Sequence, residues 1–295
     1  MARYTLLELT RRRILLVFFI IGALGIALIG TLLKVFSSAF SGGTFGPPGS
    51  AAPDPALISR ALELSFINDL IGVLGLFALL IAFGIGMTVI YHDLESGAAV
   101  AIFSKPVSRA AFTAGKLIAA IVAMIAIVGV LSIEARLAML LFASTGIEQA
   151  LWLEAVAQVA NALTVMLLVM ALSTWMNNIV AAIVAFIYNA AAGVVVGLHN
   201  QLQAGTLGNN VYLRDGLNVL YWVVPHQLTS DAPKQIARAQ FELFSSANQG
   251  QGGPSVDQIL ASIPGASSAG DITWWAFVIL FFTSLVYLAV RRRQV

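Results

Sequence analysis

Residues 104–116 read SKPVSRAAFTAGK, a short polar and basic stretch that ends in Gly115 and Lys116. A Gly-Lys pair also closes the phosphate-binding loop G-x-x-x-x-G-K-[ST], where glycines let backbone amides surround the phosphates and the hydroxyl holds magnesium. In this chain Ala110 stands at the position of the first glycine and Leu117 at that of the hydroxyl residue. No strand-like segment precedes the loop, so the sequence argues against a nucleotide site here.

No other residues form a recognisable catalytic or metal-binding set. The three histidines, His92, His199 and His226, show no ligand spacing, and neither H-E-x-x-H nor G-x-S-x-G occurs. The chain contains no cysteine, which excludes disulfides and thiolate metal sites. We therefore predict that the protein is not an enzyme and holds no metal or cofactor of its own.

Two ionisable residues, Glu134 and Arg136, interrupt an apolar stretch. Charges inside a membrane span are rare and usually face the bundle or a watery cavity, which makes the pair a candidate for a path or outer gate. Two residues apart on a helix, they do not face each other, so each needs a partner elsewhere. The alternative is that the helix ends earlier and both side chains reach the outer headgroups.

Asn161 and Asn189 place carboxamides in the middle of two further apolar stretches. They either line a path through the membrane or form hydrogen bonds between helices. Glu154 and Lys34 lie nearer the ends of such stretches, where we expect contacts with headgroups.

Gly193 and Gly197 form a G-x-x-x-G pattern in another apolar stretch. This spacing lets two helices approach closely in a membrane. The pair is therefore a candidate dimer interface, although such patterns also arise by chance in glycine-rich segments.

These residues lie in a chain with the composition of a membrane protein. Of its 295 residues, 59% are hydrophobic and 10% charged, and the mean hydropathy is +0.90, whereas soluble domains carry about 25% charged residues. The net charge of +2 gives no reason to expect a nucleic-acid partner. A helix crosses the bilayer core with roughly 20 apolar residues. The segments that meet this length are 14–36, 66–91, 117–142, 150–176, 179–198 and 272–290.

The basic residues predict the orientation of these segments, because lysine and arginine are enriched in cytoplasmic loops. One cluster precedes the first segment, one follows the last, and one separates the second from the third: Arg11, Arg12 and Arg13; Arg291, Arg292 and Arg293; Lys105, Arg109 and Lys116. An even number of spans with both termini in the cytoplasm satisfies all three clusters. We predict an all-α protein with six transmembrane helices, forming one domain over 1–295 in the cell (cytoplasmic) membrane.

Four segments fall outside the predicted spans. Residues 1–13 are a cytoplasmic N-terminal segment, and 37–65 are an extracytoplasmic loop, rich in Gly, Pro and Ser, that ends in a short interfacial helix. Residues 92–116 are a cytoplasmic loop. Residues 199–271 are extracytoplasmic and contain GLNVLYWVVPHQL and PKQIARAQFELF, which we predict to be re-entrant or interfacial helices because they are apolar or amphipathic but too short to span.

The cytoplasmic loop has internal order. Asp93 can cap a short helix that Pro106 ends, and Ser108 can cap the membrane helix that follows. An apolar face held at the cytoplasmic surface usually docks on a partner. The residues of that face are Val100, Ile102 and Phe103.

The stretch YHDLESGAAVAIFSKPVSRAAFTAGKLIAA, 91–120, resembles the loop between the second and third helices of ABC-2 type transporter permeases. That family has a Glu-x-Gly, a hydrophobic turn, Pro-Val-Ser-Arg, an aromatic residue, and a Gly-Lys that opens the next helix. The matching residues are Glu95, Gly97, Pro106, Val107, Ser108, Arg109, Phe112, Gly115 and Lys116. Where family members often carry a longer charged run before the glycine, this chain has only Asp93 and Glu95.

The resemblance implies a type V exporter-like architecture. Such a permease pairs with a second copy of itself and with two separately encoded ATPase subunits, which bind ATP and magnesium. The loop then forms a coupling helix in a groove of the ATPase. The residues implied for coupling are Asp93, Glu95, Gly97, Val100, Ile102, Phe103, Pro106 and Arg109.

The function expected from this resemblance is ATP-driven export of an amphipathic compound, such as a drug, an antibiotic or a lipid. Within the family, ion efflux and metal-centre maturation are alternatives. A membrane scaffold or sensor without transport is a second class. An ATP-independent secondary carrier is a third, but it would be expected to show intramembrane charge relays and repeats, of which the sequence offers little.

Overall fold

The computed structural model describes residues 5, 13–42, 55–95, 108–142, 148–203, 205, 211–224, 227–247, 259–261, 263 and 265–292. This part of the chain is helical and contains no strand, which confirms the predicted all-α class. The helices are α1 (Arg13–Gly42), α2 (Pro55–Thr88), α3 (Tyr91–Glu95), α4 (Arg109–Phe142), α5 (Glu148–Ser173), α6 (Asn178–Gln203), α7 (Val211–Val223), α8 (Ala232–Ala247) and α9 (Ala269–Arg292).

Five stretches of the described chain are long and apolar enough to cross a membrane. They are Ile58–Asp93, Arg109–Leu141, Trp152–Ser173, Asn178–Gln203 and Ala269–Arg292. Within α1 the described apolar stretch, Phe19–Leu32, is shorter. The protein is therefore a multi-pass membrane protein by the length and apolarity of its helices. The sixth span and the cytoplasmic position of both termini remain predictions.

Helix α2 lies at the centre of the bundle and packs against α1, α4 and, most extensively, α5. After Asp69 its sequence contains no charged residue and is apolar on all sides, as expected for a helix with neighbours on several sides. Helix α9 packs on α5 and α4, and α6 packs on α5 and α7. The largest fully buried side chains of the core include Leu64, Ile67, Ile81, Ile85, Met124, Met166 and Leu167.

Helices α1, α4 and α6 each leave an apolar face uncovered in the single chain. Leu24, Leu141 and Ile187 are all more than half exposed, and α6 buries only Ala181, Ala185 and Ala192. In a membrane protein such faces meet lipid or another helix rather than water.

The predicted loop 37–65 is shorter than expected. Helix α1 continues to Gly42, and α2 already begins at Pro55, so ALISRALELS is the first part of a long helix and not a separate interfacial one. Pro55 suits the first position of a helix, and residues 56–71 contain no Gly or Pro that would interrupt it. Leu64 is fully buried, which shows that this part of α2 packs against the rest of the bundle. Residues 43–54 lie outside the described chain.

The predicted segment 199–271 contains two short helices, α7 and α8, close to the two stretches identified in the sequence. Helix α8 packs against α2 and α5 through Ile236, which is buried. Their side of the membrane remains a prediction.

Candidate functional site

A buried ion pair lies at the base of the loop that separates α3 from α4. The Nζ of Lys116 is 2.7 Å from Oδ2 of Asp93, and the two side chains are only 3% and 10% exposed. The sequence predicted that Asp93 caps a helix that begins after it. In the structure Asp93 lies within α3. The pair joins the residues on both sides of 96–107 and therefore holds the two ends of that loop together.

The first turn of α4 carries two further contacts. The hydroxyl of Ser108 accepts a hydrogen bond from the N–H of Ala111 at 3.1 Å, which confirms the predicted cap. Nη1 of Arg109 donates to the carbonyl of Arg291 at 2.6 Å, near the C-terminus of α9, where a cation is favourable. Arg109 and Arg291, from two of the three basic clusters, therefore lie at the same end of the bundle.

The other residues implied for ATPase coupling lie beyond these contacts. Glu95 is the last residue of α3. Residues 96–107 lie outside the described chain, and they include Gly97, Val100, Ile102, Phe103 and Pro106. Their role in coupling remains a prediction.

A cavity of about 200 Å³ opens between α2, α5 and α6, and its polar lining consists of carboxamides. Asn161 and Asn189, predicted from separate spans, both line it, together with Gln158 and Gln227. We call this space the amide cavity. A smaller adjoining pocket shares Asn161, Asn189 and Gln227. The remaining lining residues of the amide cavity are Gly75, Leu76, Leu79, Ala162 and Val165.

A segment without regular secondary structure, residues 227–231, forms one wall of the amide cavity through Gln227; we call it the strap. Asn161 holds it through both atoms of its amide. Its Oδ1 accepts from the N–H of Leu228 at 2.7 Å, and its Nδ2 donates to the Leu228 carbonyl at 2.8 Å. Asn161 thus satisfies a backbone donor and acceptor that the strap leaves without secondary-structure partners.

Glu154 fixes the strap at a second point, Ser230, two residues before α8 begins. Its Oε2 accepts from the N–H of Ser230 at 3.0 Å and from the Ser230 hydroxyl at 2.8 Å, and its Oε1 accepts from Nε2 of Gln158 at 2.9 Å. The residue is 3% exposed. The predicted headgroup contact for Glu154 is therefore wrong, because these donors replace water around its carboxylate.

The opposite side of the strap is bound to the segment that leads into α9. The Thr229 hydroxyl donates to the carbonyl of Gly265 at 2.6 Å, and the N–H of Thr229 donates to the Ser267 hydroxyl at 2.8 Å. Asp231 accepts from the N–H of Ala266 at 2.9 Å. The strap is thus held between α5 and the start of α9.

A glycine on α2 gives Gln158 its place beside the cavity. A Cβ built on Gly75 would stand 2.8 Å from Oε1 of Gln158, closer than real contacts allow. Gly75 therefore leaves room for the Gln158 amide to lie between α2 and α5.

Glu134 and Arg136 lie inside α4, which continues to Phe142, so the alternative of an earlier helix end is wrong. The guanidinium of Arg136 lies 5.3 Å from the centre of the Trp152 ring on α5, a cation–π contact. Oε2 of Glu134 is buried and makes no hydrogen bond within the described residues. The two residues do not meet Asn161 or Asn189 at the amide cavity.

Gly193 and Gly197 lie on a side of α6 where no other helix packs. A Cβ at either position would meet no atom of the described chain within 4 Å. The described part of the chain therefore does not use the G-x-x-x-G pattern, and the dimer interface remains a prediction.

A polar and aromatic cluster joins α6, α7 and α9. The ring of Tyr221 stacks on His199 at 4.2 Å, and its hydroxyl donates to Oδ1 of Asp271 at 3.0 Å. Burial, and then the hydrogen bond to Asp271, raise the pKa of Tyr221 well above its ordinary value. The phenol therefore stays protonated and remains a donor at neutral pH.

Gln158, Gln227 and Ser230 were not identified from the sequence. A signal for the first was present, because Glu154, Gln158 and Asn161 follow one another at spacings of four and three residues and share one face of α5. No comparable signal exists for Gln227 or Ser230, which lie in the strap, far from α5 in the sequence.

The chain matches no protein-family model and no curated protein sequence. The resemblance of residues 91–120 to ABC-2 type permeases therefore remains a prediction.

Proposed function

We propose that this protein is the membrane-spanning permease subunit of an ATP-driven exporter of the ABC-2 type. It moves an amphipathic compound outward and works as a dimer with two separate ATPase subunits. The observation that carries the proposal is the stretch 91–120, whose family pattern coincides with a buried ion pair, Asp93–Lys116, at the base of the loop.

The contacts around this loop suit a mechanical role. A buried salt bridge on one side and the Arg109–Arg291 hydrogen bond on the other connect the loop to α3, α4 and α9. A force applied to residues 96–107 by a closing ATPase dimer would pass into these helices and, through α4, into α2. The ATP chemistry itself belongs to the partner subunit.

Phe103→Asp tests the docking of the loop on the ATPase. The substitution places a charge in an apolar groove, and we expect the ATPase that co-purifies with the tagged protein to fall about tenfold or more. The amount is measured by quantitative mass spectrometry of the complex in mild detergent, together with vanadate-sensitive ATP hydrolysis. Ser104→Asp, which adds the same charge at the next position, is the control and should retain the ATPase.

Equal ATPase recovery with both variants would contradict docking through Phe103. If the unsubstituted protein brings down no ABC-type ATPase at all, the exporter assignment itself is wrong, and a scaffold or a secondary carrier takes its place.

Glu134→Gln tests the proposed role of the α4 charges in export. Because Oε2 of Glu134 has no hydrogen-bond partner in the described chain, the neutral isostere should leave assembly and basal ATP hydrolysis unchanged. Export, or the stimulation of ATP hydrolysis by substrate, should fall about tenfold, equivalent to about 1.4 kcal/mol in a barrier. Arg136→Gln should lower export as well, and it also removes the contact with Trp152.

Glu242→Gln on α8 is the matched control, since Glu242 is exposed and forms an ion pair with Arg238 one turn away. Normal export by Glu134→Gln and Arg136→Gln would remove both residues from the transport path. Loss of folding in Glu134→Gln would identify a structural role instead.

A further inference from the structure

We propose that the amide cavity binds an uncharged group rich in hydroxyls or amides, carried by a ligand with an apolar part. The cavity volume of about 200 Å³ is far above the roughly 10–15 Å³ that one water molecule needs. Binding by this chain needs no ATPase, whereas a role of the ligand as the exported substrate rests on the proposed function.

The polar lining offers hydrogen-bonding groups that the protein does not use. The amide nitrogen of Gln158 donates to the carboxylate of Glu154, and that of Asn161 donates to the carbonyl of Leu228. The nearest partner of Asn189 is Gln227, whose Nε2 lies 3.4 Å from Oδ1 of Asn189, a long and weak contact. Within the described chain, the amide nitrogen of Asn189 and the carbonyl oxygens of Gln158 and Gln227 make no hydrogen bond.

Free donors and acceptors on neighbouring carboxamides match ligand groups that both donate and accept. Hydroxyl and amide groups do both, and each can satisfy an amide N–H and an amide carbonyl at once. A ligand that displaces water from these amides must pair with them, because amides that lose water and find no partner are costly.

The lack of charged residues in the cavity lining favours a neutral group on the ligand. None of the residues that line it is acidic or basic. The carboxylate of Glu154, which contacts the lining residue Gln158, already accepts three hydrogen bonds from Gln158 and Ser230. A charged ligand would lose its hydration without gaining a counter-charge, which is expensive inside a membrane protein.

The remaining lining predicts the other half of the ligand. Leu76, Leu79 and Val165 supply apolar surface next to the amides, and Leu76 is about half exposed at 54%. An alkyl chain attached to the neutral group could leave the cavity along these residues. Two sources offer such chemistry: a free polyol or sugar, and a neutral lipid-like amphiphile with a hydroxylated headgroup.

The test uses the purified full-length protein in phosphatidylcholine nanodiscs, without ATPase. Three soluble amphiphiles with the same octyl tail, n-octyl β-D-glucoside, octyltrimethylammonium and nonanoate, are titrated below their micellar concentrations by isothermal calorimetry. We expect saturable binding of octyl glucoside about tenfold tighter than that of either ion. Glucose alone distinguishes the sources: comparable binding assigns a free solute, and binding only with the tail assigns an amphiphile.

Asn189→Leu should weaken octyl glucoside binding about fivefold to tenfold, the loss of one or two hydrogen bonds. Asn200→Leu, the same change on the same helix away from the cavity lining, should leave it unchanged. Gln227→Leu provides a second lining variant should Asn189→Leu fail to fold. Binding of the ions as tight as that of octyl glucoside, no binding of either neutral probe, or equal binding by both lining variants and the control would overturn the proposal.

The exporter proposal and the ligand proposal are tested by independent measurements. Loss of the cavity ligand leaves ATPase association and the Phe103→Asp result untouched. Absence of an ATPase partner leaves the calorimetric result untouched.

Discussion

Lys116→Met is expected to lower the free energy of unfolding by about 3–5 kcal/mol, the cost of leaving one member of a buried ion pair without its partner. The carboxylate of Asp93 is 2.7 Å from the ammonium of Lys116 and is shielded from water. Water therefore cannot solvate the carboxylate once the ammonium is removed. Methionine keeps most of the volume of the lysine side chain, which separates the loss of charge from the creation of a cavity.

The measurement is SDS-induced unfolding followed by tryptophan fluorescence, with the double variant Asp93→Leu/Lys116→Met completing a double-mutant cycle. Replacing both partners by apolar residues is often close to neutral, so we expect the double variant to recover most of the lost stability. Lys34→Met is the control, because Lys34 is exposed on α1. Stability of Lys116→Met equal to that of the control would contradict a structural role for the pair.

The same cycle separates stability from coupling. If the pair only stabilises the fold, the double variant regains both stability and substrate-stimulated ATP hydrolysis in the proposed complex. If the pair also holds the loop ends in register for the ATPase, the double variant regains stability alone.

The positions of the long helices could be predicted from the sequence because each depends on local composition. About twenty apolar residues in succession leave few alternatives in a membrane, and Ser108 caps α4 as its type and position indicate. The start of α2 was missed for the opposite reason. Residues 55–65 were expected to include a separate interfacial helix outside the span. Their charged residues, Arg60 and Glu63, instead lie 3.6 Å apart on successive turns of the helix that continues into the span.

The candidate site could be predicted only in part, because its contacts join residues distant in the sequence. Asn161 and Asn189 were identified one at a time, as polar residues in apolar surroundings. Their meeting at one cavity depends on the packing of α5 against α6. The environment of Glu154 was missed because Ser230, which satisfies its carboxylate, belongs to the strap, and no local pattern links the two.

The tightest glycine contact within the chain was missed in the sequence analysis for a related reason. The G-x-x-x-G pattern drew attention to Gly193 and Gly197, which have open space around them. Among the described glycines, the closest approach to atoms that cannot move aside lies at Gly86 on α2. A Cβ there would stand 2.9 Å from both the carbonyl oxygen of Met166 and Cβ of Val169. Neither atom is the end of a flexible side chain, so the contact fixes the distance between the two helices at the centre of the bundle.

Gly86→Val is therefore expected to destabilise the protein by about 3 kcal/mol, the upper end of what inserting atoms into a packed core costs. Valine and glycine differ little in helix propensity compared with this effect, so the loss reports on packing between α2 and α5. Because α5 also carries Glu154, Gln158 and Asn161, a shift of α5 should move the amide cavity as well. We expect octyl glucoside binding to be lost together with stability.

Gly72→Val, on the same helix, is the matched control, since a Cβ at Gly72 would meet no atom of the described chain within 4 Å. This variant should unfold at the same SDS fraction as the unsubstituted protein, within about 0.5 kcal/mol, as for a substitution that touches nothing. If Gly86→Val is as stable as Gly72→Val, α2 and α5 are not held together at Gly86. If Gly72→Val alone is destabilised, the face of α2 at Gly72 meets another molecule, and a second copy of the chain is the first candidate, because the proposed exporter is a dimer.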